Sequence, residues 1–538
     1  MALKGNTYDE VCRNFAWQVP ERFNIAEAIC DRHCGGDRTA LIFDTRGGAM
    51  ATLTFEQLRE KSCRFANALA AHGIARGDRI AILLPQCPEA LIAHLAAYRL
   101  GAIALPLFTL FGPEALEYRL NDSGAKAVVS NAAGIEKLLG LADRLNSAPI
   151  LVSIDDRRDG RVLDWAMLLE AASPQQQRAD TLAEEPAIIV YTSGTTGNPK
   201  GVLWAHRTLI GHMPGVELPH EFFPQPGDRM WTPADWAWAG GLMDALLPAL
   251  FHGVPVVAKR LQKFDPEEAF DLLGRHGIRN AFMPPTALKM MRQVASPQTR
   301  FSYAMRTVAS GGERLGDEML DWGRATFGLT INEFYGQTEA NLTVANCASI
   351  MPPKAGSMGR AVPGHVVEVV DEDGHPVVPG ETGTIAVKAP DPVFFLRYWN
   401  KPEATADKFR NGWLMTGDTG HRDADGYFWF HARNDDVINS GGYRIGPTEI
   451  EDCLMRHPAV AMVAVVGVPD ALRGEIVKAF IVPRQGTAAD DALGAEIQAF
   501  VKTRLSAHEY PRQIEFRDSL PMTVTGKIRR KDLREGTA

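Results

Sequence analysis

Residues 191–201 run Tyr-Thr-Ser-Gly-Thr-Thr-Gly-Asn-Pro-Lys-Gly. Thr192, Ser193, Gly194, Thr195, Thr196 and Gly197 put hydroxyls and bare backbone into one short stretch, and Lys200 adds a cation. Glycines let the main chain come close to a polyphosphate, whose oxygens can then accept from N–H and O–H groups. The stretch is not a Walker A loop, because the G-x4-G-K-[ST] spacing fails. The apolar run 187–191 just before it reads as a buried strand that delivers the loop.

The loop resembles the phosphate loop of the adenylate-forming superfamily, which comprises acyl-CoA synthetases, firefly luciferases and peptide-synthetase adenylation domains. Further motifs follow in that family's order and cover nearly the whole chain. Ser310-Gly311-Gly312-Glu313 resembles the segment that lies along the adenine. Tyr335-Gly336-Gln337-Thr338-Glu339 resembles the next signature. By that resemblance Tyr335 stacks on adenine, Thr338 contacts phosphate and Glu339 holds Mg2+. The residue types suit these tasks, since an aromatic face fits a purine and Mg2+ takes one or two carboxylates with phosphate oxygens.

The resemblance extends to Thr416-Gly417-Asp418, with Asp418 on the ribose hydroxyls, and to Arg433 on ribose or phosphate. It also implies a hinge at Asp435 and a catalytic lysine, Lys527, in Pro521-Met522-Thr523-Val524-Thr525-Gly526-Lys527. A cation there lets a carboxylate and an α-phosphate, both anionic, approach each other. After a rotation about the hinge, Gly441, Gly442 and Arg444 would line the pantetheine tunnel of coenzyme A. The expected reaction joins a carboxylic acid to AMP, releases pyrophosphate, and passes the acyl group to the thiol of CoA. ATP and CoA are the expected co-substrates and Mg2+ the cofactor. Pro521, Gly526 and Lys527 also resemble the site at which bacterial acyl-CoA synthetases are switched off by a lysine acetyltransferase and restored by a deacetylase.

Residues 231–238 hold three of the ten tryptophans. They resemble the acyl-pocket wall of acetyl- and medium-chain acyl-CoA synthetases, with Trp236 and Trp238 facing the acid. Acetate-specific relatives carry a tryptophan at the place of Gly336, so the glycine predicts an open pocket and an acid longer than acetate. The expected substrate is a medium-chain or short branched acid; an aromatic acid, or acetate and propionate, are the alternatives.

Segments that must position these residues alternate helical periodicity with short apolar runs. Residues 54–71 and 89–99 carry helical spacing, and 79–84 reads as a buried strand. This rhythm predicts an α/β fold. Near residue 360 the texture changes to short strands between Gly and Asp turns (366–370, 383–387, 427–430), as in an antiparallel, barrel-like part. A polar joint, Asn434-Asp435-Asp436, precedes a small α+β unit with helices at 450–455 and 495–505 and strands at 463–468 and 477–482. The predicted organisation is therefore a large domain over 1–434, with mostly parallel sheets, and a small mobile domain over 435–538.

With 538 residues, more than one domain is required. A net charge of -8, from 57 basic and 65 acidic residues, argues against nucleic acid as a partner. The apolar stretch 90–107 contains His94, Arg99 and Pro106 and reads as a buried helix and strand, not a membrane span. The N-terminus has no apolar run of the secretory type, and seven scattered cysteines suggest reduced thiols in the cytoplasm. Cys30, His33 and Cys34 lack a second ligand cluster that would complete a zinc site. Arg529, Arg530, Lys531 and Arg534 read as a solvated helix face.

Overall fold

The structure is a computed structural model that describes residues 3–45, 50–155, 160–192, 198–260, 263–313, 315–433, 436, 438–440, 443–470, 473–505, 510–523 and 526–536. Residues Ser193, Gly194, Thr195, Thr196 and Gly197 of the phosphate loop lie outside the described residues, as do Asp435, Gly441 and Gly442.

The periodic segments become the elements their spacing implies. The helix Phe55–Ala71 starts on a capping box, in which Thr54 accepts from the Gln57 amide and Gln57 accepts from the Thr54 amide. Its buried face, Phe55, Leu58, Phe65 and Leu69, repeats every three or four residues. The helix Pro88–Leu100 is buried nearly all round. Proline opens it and Gly101, at φ +66°, closes it in the left-handed region. The strand Ile103–Pro106 follows at once, so the apolar stretch is core. No helix among the described residues is long and apolar enough to cross a membrane. Cys30 donates to the Phe55 carbonyl at 3.4 Å, and a ring nitrogen of His33 lies 3.0 Å from that of Phe251.

Among the described residues the strands form three sheets, of fourteen, eight and five. In the eight-stranded sheet, Pro186–Thr192 continues a parallel set through Ile103–Pro106, Arg79–Leu83, Ala127–Ser130 and Ile150–Ser153. In the fourteen-stranded sheet, Thr39–Asp44, Val256–Lys259, Met230–Trp231, Asn280–Phe282, Thr307–Ser310 and Asn332–Gln337 are parallel. At Asn332–Gln337 the pairing changes hand. Ala340–Ala345, Gly359–Ala361, Tyr427–Arg433, Trp413–Arg422, Gly383–Lys388 and Val367–Val370 then follow antiparallel. The antiparallel part expected near residue 360 thus continues the parallel sheet.

The five-stranded sheet pairs Val460–Asp470 with Gly474–Pro483 and lies beside the helices Pro447–Met455 and Asp491–Arg504. It has its own core, built on Ile450, Val465, Val477, Ile481 and Ile497. A large N-terminal and a small C-terminal domain result. Parallel strands place their ligand loops at their carboxyl ends. Thr307–Ser310 ends opposite the start of Asn332–Gln337, with Ser310 against Glu333, so that Gly311 comes up against Phe334, just before the Tyr335–Glu339 segment.

Candidate nucleotide and acyl site

Asp418 is the polar centre of the site. It lies in the strand Trp413–Arg422, opposite Arg433 on the next strand. Its Oδ2 accepts from the Tyr335 phenol at 2.6 Å and from the Gln337 amide at 3.1 Å. The Arg433 guanidinium stands 3.8 Å from Oδ1. Burial raises the carboxyl's pKa, and Arg433, Tyr335, Lys408 and Lys527 pull it back down.

Glu339 comes just after the strand Asn332–Gln337. One of its oxygens accepts from the Tyr398 phenol, and its carbonyl accepts from the Phe395 amide at 3.0 Å. The carbonyl of Thr338 accepts from the indole of the fully buried Trp204 at 2.7 Å. Trp204 belongs to the strand Lys200–Ala205, which begins just after the phosphate loop. Lys200 pairs in register with Thr192 across the loop, and its ammonium lies 5.1 Å from the centroid of the Tyr398 ring. Tyr398 therefore touches both the carboxylate and the lysine.

The glycines work by close approach. A Cβ on Gly311 would lie 2.4 Å from the Phe334 ring. Gly312 sits at φ +91°, and a Cβ there would come within 3.0 Å of the Trp238 indole and 3.9 Å of Lys527 Cε. Glu313 accepts from the Thr286 hydroxyl at 3.0 Å, and the same hydroxyl lies 3.4 Å from the Gly526 carbonyl of the C-terminal domain.

Lys527 reaches this place on a tight turn. The Thr523 amide donates to the Lys527 carbonyl at 2.7 Å, and the Gly526 amide to the Thr523 carbonyl at 3.0 Å. Gly526 sits at φ +85°, a conformation that favours glycine. The ammonium lies 5.8 Å from the centroid of Trp238. Burial lowers its pKa; Glu313 and Asp418 oppose this, and Arg433 adds to it.

The three tryptophans go to different places. Trp231 and Trp236 are buried in the core, at 1% and 2% exposure, and only Trp238 of the three has a described contact with Lys527. An Asx-type turn separates them, with Asp235 Oδ1 accepting from the Ala237 amide at 2.8 Å. Trp236, expected beside Trp238 at the acyl group, packs into the main core, against which Trp238 is also packed.

Gly336 also departs from expectation. A Cβ there would lie 2.1 Å from the Leu342 amide nitrogen, because the register shifts between Tyr335 and Gln337 and the returning strand closes in. The glycine faces backbone, not open acyl space. We expect Gly336→Ala, and Gly336→Trp more so, to lose roughly 3 kcal/mol or more of stability by overpacking. Thermal melting and the chain-length profile check this. A stable tryptophan variant with a shortened acid preference would restore the open-pocket reading.

The basic helix after Lys527 is not a solvated face throughout. Arg530 makes ion pairs with Glu451 at 2.8 Å and Asp436 at 3.4 Å, and Arg534 pairs with Asp436 at 2.5 Å. These pairs tie the residue after the hinge candidate to the segment carrying Lys527. Arg529 and Lys531 keep exposed helical pairings, with Asp532 at 3.0 Å and Glu535 at 3.5 Å. Arg444 lies in the strand Tyr443–Ile445.

Sequence reasoning missed Gln337 as a site residue, and also Thr286, Tyr398 and Lys408. Gln337 stands inside the Tyr335–Glu339 motif; the other three carry no motif of their own.

A site of this kind brings carboxylates, an aromatic ring and a lysine from a second domain around the ends of parallel strands. Residues 27–399 match the AMP-binding enzyme family and residues 449–527 match the AMP-binding enzyme C-terminal domain. The chain belongs to this family, as an acyl-CoA ligase. It is 35% identical to the rat mitochondrial acyl-coenzyme A synthetase ACSM3, over 98% of this chain and 93% of the relative. Among solved structures it is similar to the Brucella canis acyl-CoA synthetase, with 36% identity, 99% of each chain covered and a TM-score of 0.77. It is also similar to the anthranilate CoA ligase AuaEII in complex with anthranoyl-AMP, with 27% identity, 96% and 98% coverage and a TM-score of 0.88.

Proposed function

We propose that this ligase activates a medium-chain or short branched carboxylic acid as its acyl-AMP at the site around Asp418, and that Lys527 drives that step. The observation that carries the reading is the convergence of Lys527, Trp238 and Gly312 beside Asp418 and Glu313. In this reading Asp418 receives the ribose hydroxyls and Tyr335 packs on the adenine. Thr192, Lys200 and Thr338 serve the phosphates, together with the loop residues 193–197. Lys527 stands between the acid's carboxylate and the α-phosphate, where negative charge gathers in the transition state. Trp238 bounds the acyl group. Rotation near Asp435 then withdraws Lys527 and brings Gly441, Gly442 and Arg444 to line the pantetheine tunnel of CoA.

The residues fit Mg2+ as the accompanying ion. Tyr398 occupies one oxygen of Glu339, and a single hard carboxylate oxygen beside phosphates is what this ion takes. When bound, Mg2+ would offset phosphate charge. Tyr398→Phe releases Glu339 from its fixed orientation. We expect the Mg2+ concentration for half-maximal acyl-AMP formation to rise about fivefold to tenfold, as for loss of an orienting hydrogen bond. An unchanged Mg2+ dependence would detach Tyr398 from metal binding.

The test of the whole reading is a panel of aliphatic and aromatic acids assayed for AMP release that requires both ATP and CoA. An aromatic acid is the second reading, favoured by the overlap with AuaEII. Absence of AMP release with every acid would remove both. The cytoplasmic location and the acetyltransferase–deacetylase pair acting on Lys527 belong to this proposal as well. The exposed Lys531 serves as the control for modification.

A further inference from the structure

Lys408 lies between the helix Pro402–Ala406 and the strand Phe409–Arg410. Its ammonium has three oxygens within reach: Gln337 Oε1 at 3.3 Å, the Met415 carbonyl at 3.3 Å and the Thr416 carbonyl at 3.2 Å. All three are neutral. Holding a partly buried cation on neutral oxygens costs stability that an apolar side chain of similar length would not. Burial duly lowers its pKa, while Glu339 and Asp418 draw it back up.

The ammonium anchors the oxygen end of the Gln337 amide, while Thr416 and Asp418 hold its nitrogen end. A lysine can only donate, whereas a carbonyl or an ionised carboxylate can only accept. The Gln337 amide must therefore turn its oxygen to Lys408. Its nitrogen then faces the Thr416 carbonyl at 3.1 Å and Asp418 Oδ2 at 3.1 Å. With the ammonium gone, Oε1 loses its donor. An amide flip would set that oxygen against the Asp418 carboxylate, which already accepts from Tyr335.

We propose that Lys408 is a positioning residue for nucleotide binding, acting through Gln337 on the orientation of the Asp418 carboxylate. The inference rests on the reading of Asp418 as the ribose-binding group. Lys408 touches no substrate in this scheme; its effect falls on how well the ribose hydroxyls are recognised.

The test combines Lys408→Met, Lys408→Arg and Gln337→Leu with acyl-AMP formation from ATP, 2′-deoxy-ATP and 3′-deoxy-ATP, and with thermal melting. Lys408→Met is expected to raise the KM for ATP about tenfold while kcat stays within about threefold, the size of one lost charged hydrogen bond. The preference for ATP over the deoxy analogues should fall by a similar factor. A merely structural lesion would not change that preference. Lys408→Arg should recover some of it. Gln337→Leu should match Lys408→Met, and the double variant should lose no more than either alone.

An unchanged KM and ribose preference in Lys408→Met overturns the proposal, and so do additive losses in the double variant. Should Lys408→Met fail to fold, Gln337→Leu decides: a wild-type ribose preference there also overturns it. A wild-type protein that makes no acyl-AMP from any acid defeats the functional reading itself, which keeps the two failures distinct.

Discussion

Lys527→Ala is expected to lose about a hundredfold or more of acyl-AMP formation, as for removal of a preorganised charge. Its ammonium lies over Trp238, beside the Gly312 turn, with Glu313 and Asp418 close enough to influence its titration. Thioester formation from supplied acyl-AMP should fall far less, because in the proposed two-orientation scheme Lys527 leaves the site before that step. Equal losses in the two half-reactions would refute the two-orientation scheme. The same lysine sets a pH limb. In the proposed mechanism adenylation needs the ammonium, and burial lowers its pKa. The rate should therefore fall with rising pH at values below the roughly 10.4 of a free lysine, while the thioester half-reaction lacks that limb. Acetyl-lysine at 527 removes the charge and adds bulk, so it should silence adenylation until a deacetylase restores it. Acetylation of Lys531 should leave the rate unchanged.

Asp418→Asn is expected to raise the KM for ATP roughly thirtyfold, within the range for hydrogen bonds to a charged group. The carboxylate accepts from Tyr335 and Gln337 and faces Arg433, so its side-chain neighbours all offer protons. An asparagine keeps one acceptor and turns an N–H₂ towards donors. The loss should be largest with ATP and small with the deoxy analogues, and titration calorimetry with AMP provides an independent readout. Wild-type AMP affinity in Asp418→Asn would move the ribose site elsewhere.

Much of the scaffold was legible because its signals are local. The helical spacing of 54–71 and the apolar run ahead of the phosphate loop each predict one element within a residue or two. The motif residues were legible because the resemblance supplies their order. The failures are tertiary. Gly336 looked open because a glycine has no side chain, yet which way its missing Cβ points depends on a register shift with the returning strand. Arg530 looked like one more surface cation because its partners, Asp436 and Glu451, are 94 and 79 residues away in the chain. Tyr398 closes the two-residue strand Arg397–Tyr398, and Lys408 lies between a short helix and the next strand, in a stretch of ordinary composition. Only the fold shows that they reach Glu339 and Gln337.

The continuity of the fourteen-stranded sheet dictates where the chain can be divided. A cut before Asn332 would separate a pair of hydrogen-bonded parallel neighbours and leave Thr307–Ser310 as a raw edge, an invitation to pair with other chains. A cut after Arg433 severs no described strand pairing, since the last sheet shares no strand with the other two. The natural unit for fragment work is therefore residues 1–433, which keeps Tyr335, Glu339 and Asp418 together and dispenses with Lys527.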